Sequence, residues 1–140
     1  FRIASDRAFF VPAWILRGLI PDGGSNWLWP RIMGASKAFE YLWTGERVPI
    51  EEALRLGLVS RVVPHDELMP AVMELARKLA QGPSIAIALC KRAVYKGLES
   101  TLEETHEFEG YAQDICFKTE DHAEGVKAFL EKREARFVGR

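Results

Sequence analysis

Cysteine is scarce in this sequence: Cys90 and Cys116 are the only two. They fit no metal or redox spacing, so the reading is two buried free thiols in a reducing, cytoplasmic setting rather than a disulfide. Histidine is almost as rare. His65, His106 and His122 are far apart in polar surroundings and make no ligand pattern, so a surface role is expected for each and no metal is called for. An excess of either charge is also missing: 19 basic residues face 20 acidic ones, for a net charge of −1. That balance argues against a nucleic-acid protein working through bulk charge. No apolar run approaches the roughly 20 residues that span a bilayer, so no membrane partner is expected. Repeats and low-complexity segments are absent.

What remains is a globular composition. Of 140 residues, 48% are hydrophobic and 28% charged. This is enough chain for one domain with a real core. The opening "FRI" reads as part of a strand, and a strand needs neighbours. The expectation is a fragment, the rest of whose sheet lies upstream of Phe1.

Along the chain, two short extended pieces are expected near Phe1–Ala4 and Ala8–Val11, joined by the polar turn Ser5-Asp6-Arg7. Glycines then punctuate short helices up to Gly57. A turn or two of helix is expected over Asp22–Leu28, stopped by Pro30. Ala35–Trp43 carries Phe39 and Leu42 on one side, with Gly45 as its stop. "VPIEEALRLG" starts a helix near Pro49, puts Glu51 and Glu52 in its first turn and ends at Gly57. "LVSRVVP" is a further strand. Beyond it the pattern is helical. Asp66–Ala80 repeats Leu68, Val72, Leu75 and Leu79. Pro83–Leu98 follows, then a helix opened by the Thr101/Glu104 capping box and reaching about Phe117. A last helix covers Thr119 to about Arg133.

The stretch "GLIPDGGSNWLWPR" holds the most informative carboxylate. Asp22 has two readings. As a helix N-cap it accepts a hydrogen bond from the Ser25 N–H, a contribution of about 1 kcal/mol. As an acid/base group it needs an apolar pocket, which Trp27 and Trp29 can wall. Gly23 and Gly24 let a substrate approach the backbone and leave N–H groups at a positive helix end. Trp14 and Trp43 read as core or interface residues. Lys91, Arg92 and Lys96 read as a solvated helix face. The closing "FLEKREARFVGR" sets Lys132, Arg133, Arg136 and Arg140 beside Phe129 and Phe137, with Lys127 just before. Basic side chains next to aromatic rings suit a phosphate- and adenine-bearing ligand, and they equally suit a helix C-terminus.

Four stretches together resemble one family: "RIASDRAFF", "GLIPDGGSNWLWPRIMG", "LWTGERVPIEEALRLGLVSRVVP" and "TEDHAEGVKAFLEKREARF". They are similar in order and spacing to the C-terminal half of the crotonase superfamily, the enoyl-CoA hydratase/isomerase family. The resemblance implies an α/β fold. Residues 1–64 would end a spiral of ββα units, and residues 65–140 would form a helical trimerisation region. It also implies an acyl-CoA thioester as substrate, a homotrimer or hexamer, and no cofactor other than the coenzyme A carried by the substrate. The main-chain N–H groups that hold the thioester oxygen, and one hydratase glutamate, would lie upstream of Phe1. The other hydratase glutamate aligns with Trp14, a departure that puts simple two-glutamate hydration in doubt. "GLIPDGG…WLWPR" is especially like the ring-epoxide isomerase type, in which an aspartate matching Asp22 shuttles a proton.

On that resemblance Asp22 is the catalytic candidate. Trp14, Ile20, Gly23, Gly24 and Trp27 are expected at the substrate, and Phe129 and Lys132 at the coenzyme A of a neighbouring subunit. Enoyl-CoA hydration with an atypical carboxylate set is the rival within the enzyme class. A non-catalytic acyl-CoA-binding or assembly piece is the rival outside it.

Overall fold

Strands of two and three residues cannot stand alone in water, so the strands of this chain depend on what packs against them. In the computed structural model, which describes residues 1–140, β1 (Ile3–Ser5) runs parallel to β4 (Arg61–Val63), with Ala4 opposite Val62. Arg2 fastens this pair from outside: its Nε donates to the Leu58 carbonyl at 2.6 Å, and Ser60 N–H donates to the Arg2 carbonyl at 2.8 Å. The turn at Ser5-Asp6-Arg7 closes as expected, with Ala8 N–H on the Ser5 carbonyl at 3.0 Å. β2 (Phe9–Phe10) pairs antiparallel with β3 (Val48–Pro49). The helix expected to start near Pro49 begins at Ile50, directly after this strand. Pro49 tolerates the strand because it sits at its end, where no ladder N–H is missed.

The chain divides into two compact units, Phe1–Met73 and Glu74–Arg140. In the first, Tyr41, Val48, Ile50, Ala53, Leu58 and Val59 form the buried cluster, with Ala4, Phe10, Trp29 and Ile32 packed on it. α1 (Ser25–Met33) runs through Pro30 instead of stopping there. A proline in the second turn forfeits one N–H, the one that would reach Asn26, while its own carbonyl still accepts from Gly34 N–H at 2.9 Å. α2 (Ala35–Thr44) buries Ala38, Tyr41 and Leu42. Phe39, expected on that side, is 46% exposed and stacks on Trp43 at 4.5 Å. α3 (Ile50–Arg55) turns Ile50 and Ala53 inward.

α4 (Leu68–Ala80) carries the chain into the second unit after a short 3-10 turn at His65–Glu67. Its half-buried side chains include Leu68, Val72, Leu75 and Leu79, as the periodicity requires. α5 (Ser84–Gly97), α6 (Leu102–Phe117) and α7 (Glu120–Leu130) follow. The capping box on α6 is complete: Glu104 N–H donates to Thr101 Oγ1 at 3.2 Å, and Thr101 N–H to Glu104 Oε2 at 2.8 Å. α7 stops at Leu130, three residues before the expected end. Both thiols are free, but Cys90 is exposed and Cys116 only half-buried, which corrects the expectation of two buried ones. The apolar run around Cys90 winds round a helix whose outer face nothing in this chain covers. No helix is long and apolar enough to cross a membrane.

Gly45 fixes how residues 14–18 sit on the first unit. It ends α2 at φ 71°, and an added Cβ would lie 2.7 Å from Leu16 Cγ and 3.2 Å from Ile15 Cγ2. Backbone strain and a clash therefore coincide. Gly45→Ala is expected to cost about 2 kcal/mol or more in the complete protein. Gly23→Ala, with a positive φ but no atom within 4 Å of the added Cβ, is expected to cost less. Denaturant unfolding of the two variants side by side checks the order.

Candidate functional site

The segment from Val11 to Gly24 turns twice, and main-chain carbonyls hold both turns. In the first, the Trp14 carbonyl accepts from Arg17 N–H at 2.9 Å and Leu19 N–H at 3.1 Å. The Arg17 guanidinium reaches back to the Ala13 carbonyl at 2.9 Å. Between them lies a depression of about 310 Å³ lined by Val11, Ala13, Trp14, Arg17 and Leu19. Trp14 is half-buried in it.

In the second turn the Asp22 carbonyl accepts from both Ser25 N–H at 3.0 Å and Ser25 Oγ at 2.8 Å. The N-cap of α1 is Gly24, in the left-handed region at φ 82°, and no side chain caps the helix. Its carbonyl accepts from Trp27 and Leu28 N–H. The expected N-cap role for the Asp22 side chain is therefore not the one the fold uses. The glycine pair bends the chain until the Asp22 carbonyl, not its carboxylate, meets Ser25. The carboxylate is exposed and makes no hydrogen bond or ion pair within the chain. Trp29, expected as a second wall beside it, packs instead on the buried cluster.

Asp22, Gly23 and Gly24 thus form one exposed corner. Ile20 next to it is 77% exposed. Trp27 is 39% exposed and carries the Arg31 guanidinium 3.9 Å from its ring centre, which fixes its ring. Neither Ile20, Asp22 nor Trp27 lines the Trp14 depression. Arg17 and Leu19, which do, were missed in the sequence. The signal was the i, i+3 spacing of Trp14 and Arg17 across a short helical turn. His, Cys, Asp and Glu side chains gather nowhere in a group of three that could hold a metal.

The second unit carries Phe129 and Lys132. Phe129 is 83% exposed on the last turn of α7 and borders a cavity of about 480 Å³, whose wall also includes Cys116, Val126, Leu130 and Phe137. Lys132 follows at φ 54°, the one non-glycine residue with positive φ, and its N–H donates to the Phe129 carbonyl at 3.2 Å. Two carboxylates that the sequence reading passed over hold the tail. Asp121, 3% exposed, accepts from Val138 N–H at 2.7 Å and Gly139 N–H at 3.0 Å. Glu124 takes Arg133 in a two-pronged pair at 2.6 and 2.9 Å, and Arg136 N–H at 2.8 Å. The sequence hint was the pair of acids three apart on α7 with a basic tail following, whose partners lie 9 to 18 residues on.

A family profile described as enoyl-CoA hydratase/isomerase matches residues 1–140. The chain belongs to the enoyl-CoA hydratase/isomerase family. It is 35% identical over 140 residues to a crotonyl-CoA hydratase of Syntrophomonas wolfei, covering 100% of this chain and 54% of that protein. It is 36% identical over 138 residues to a 1,2-epoxyphenylacetyl-CoA isomerase of Escherichia coli K12, covering 99% and 53%. The crystal structure of an enoyl-CoA hydratase from Bacillus anthracis superposes with a TM-score of 0.95 at 34% identity, covering 100% of this chain and 54% of that one. The fold is thus crotonase-like α/β, as the resemblance implied. The chain spans about half the length of the curated relatives it matches.

The tail clamp has a pH signature. The Arg133 guanidinium, and after it the Arg136 N–H, pull the Glu124 carboxyl down from its ordinary 4.5 to about 2. A depressed carboxyl stabilises the folded state above its unfolded value, and that contribution goes as pH falls through the folded value. The gap in melting temperature between the complete protein and its Glu124→Gln variant is therefore expected to hold above about pH 4.5 and to close toward pH 2. Thermal melts across that range check it.

Proposed function

We propose that this chain is part of an acyl-CoA enzyme in which Asp22 moves a proton on a thioester enolate, with isomerisation as the reaction. The observation that carries the reading is the division of labour at the turn. The Asp22 carbonyl holds Ser25, and the carboxylate is left without a structural partner. Asp22 takes a proton from a carbon made acidic by the acyl-thioester. The C–H electron pair moves into the conjugated system, and negative charge develops on the thioester oxygen. Main-chain N–H groups elsewhere in the complete enzyme hold that oxygen. The same proton then returns to another carbon of the chain. Atoms and electrons balance with no redox partner, so the coenzyme A of the substrate is the only cofactor chemistry required.

Gly23 and Gly24 allow the acyl chain close to the backbone. Ile20, Trp27 and Trp14 form apolar surface beside it, and Trp14 keeps water from the reacting carbon. Phe129 and Lys132 meet the adenine ring and phosphates of coenzyme A bound by a neighbouring subunit. Residues 1–64 finish the spiral core, residues 65–140 serve assembly, and the assembly is a homotrimer or hexamer.

The second reading is hydration. The 35% identity to a protein named crotonyl-CoA hydratase favours it. Water would then be activated by an atypical carboxylate set, because Trp14 stands where one hydratase glutamate aligns.

In the complete enzyme, Asp22→Asn is expected to lower kcat for double-bond migration by about 10²- to 10⁴-fold, with little change in melting temperature, because the side chain has no structural partner. Near-normal kcat removes Asp22 from the chemistry. Trp14→Glu restores a carboxylate at the position that aligns with a hydratase glutamate. It is expected to raise water addition relative to double-bond migration on one enoyl-CoA substrate, followed by product analysis.

A further inference from the structure

Lys132 occupies a conformation that a lysine does not choose for itself. A non-glycine residue in the left-handed region costs about 1 kcal/mol, and such a residue persists only where its surroundings hold it. The surroundings here are specific. Lys132 N–H is tied to the Phe129 carbonyl and Arg133 N–H to the Ala128 carbonyl. The Arg133 guanidinium then spans three anchors: Glu124 through two nitrogens, the Glu131 carboxylate at 2.6 Å and the Glu134 carbonyl at 3.0 Å. Glu124 also takes Arg136 N–H. Glu124, about two turns back on α7, therefore ties the chain just after Lys132 to the helix just before it. The pairing uses up the positive charge of Arg133, just as Glu120 engages Arg140 at 3.0 Å. Lys132 is exposed and has no carboxylate partner.

We propose that Glu124 and Arg133 are positioning residues. They lock the reversal after α7 so that the Lys132 ammonium and the Phe129 ring are presented together, one to a phosphate and one to the base of the nucleotide end of an acyl-CoA. This rests on the reading of Phe129 and Lys132 as coenzyme A contacts and deepens it. Neither Glu124 nor Arg133 touches the ligand. A glutamate fits better than an aspartate because its longer arm reaches Arg133 and the Arg136 N–H at once. Arginine is required over lysine because only a planar fork makes two parallel bonds to one carboxylate.

The test measures binding in the complete enzyme by calorimetric titration. The probes are butyryl-CoA, a saturated thioester that presents no double bond, and S-butyrylpantetheine, which lacks the nucleotide. Glu124→Gln is expected to weaken butyryl-CoA about tenfold, as loss of a charged phosphate contact would. S-butyrylpantetheine should bind unchanged. Lys132→Gln should behave the same way, and the double variant should be no worse than Lys132→Gln alone, because both act through one contact. Equal weakening of both probes by Glu124→Gln means a folding role and overturns the proposal. Weakening by Lys132→Gln but not by Glu124→Gln overturns the positioning role and leaves the coenzyme A reading standing. No change with Lys132→Gln removes that reading, and the proposal with it. If Glu124→Gln does not fold, Arg133→Lys replaces it. This variant keeps the cation and loses the fork, and unchanged butyryl-CoA affinity overturns the proposal.

Discussion

Two consecutive glycines in the left-handed region, at φ 59° and 82°, let the chain fold back so that one carbonyl, that of Asp22, meets both donors of Ser25. Much of the first unit follows from this bend. It sets where α1 begins, and so which side of α1 faces the cluster. Trp29 and Ile32, three apart, pack inward, while Trp27 stays half out under Arg31. It also sets Asp22 at the entry of the turn with its side chain unneeded for structure. A side-chain cap at this position would have committed the carboxylate to Ser25 N–H. The glycine pair removes that competition.

The regular elements were legible where one physical signal dominated. The capping box at Thr101 and the apolar period of α4 are strong local signals, and both elements appear where those signals lie. β4 was legible from Val62 and Val63, and β1 from the stretch "FRI". The misreadings share a cause: a local rule was given weight that tertiary context overrode. By local rule Pro30 stops a helix, yet the loss of one N–H is small beside the packing of Trp29 and Ile32 on either side of it. Spacing sets Phe39 on one side with Leu42, yet the narrow buried stripe of α2 is Ala38, Tyr41 and Leu42. Asp22 was read first as a cap because aspartate before a helix usually is one. Nothing in the sequence shows that a backbone carbonyl will reach the same donor.

The candidate site was legible in part for the same reason. Asp22, Gly23 and Gly24 are adjacent in sequence, so their proximity needed no fold to reveal it. Trp14 and Arg17 are brought together by a 3-10 turn that is too short to leave a periodic trace. In the second unit, Leu98, Leu102, Tyr111 and Phe129 are each more than half exposed. So many large apolar side chains on helices α5 to α7 exceed what a solvated surface usually carries, and this supports the proposed homo-oligomer. It also explains why the thiols were misjudged. An apolar helix face reads as core from sequence, whether its cover comes from the same chain or another.

The carboxylates sort by what they hold. Asp121 is almost fully buried and receives main-chain N–H groups from Val138 and Gly139, so its charge is satisfied by backbone and closes the tail. Glu124 is engaged by Arg133 and by Arg136 N–H, and its lowered pKa expresses the same commitment. Protonating Glu124 would weaken contacts that keep residues 133–136 against α7, so it cannot exchange a proton with a substrate without loosening the fold around it. Asp22 differs because its structural duty has passed to its carbonyl, and proton transfer at its carboxylate disturbs no hydrogen bond of the chain. Position along a helix does not separate these acids by itself: Asp22 stands just before α1, Asp121 in the first turn of α7 and Glu124 in its second. What separates them is whether side chain or backbone satisfies the donors nearby, and at Asp22 the two following glycines give that duty to the carbonyl.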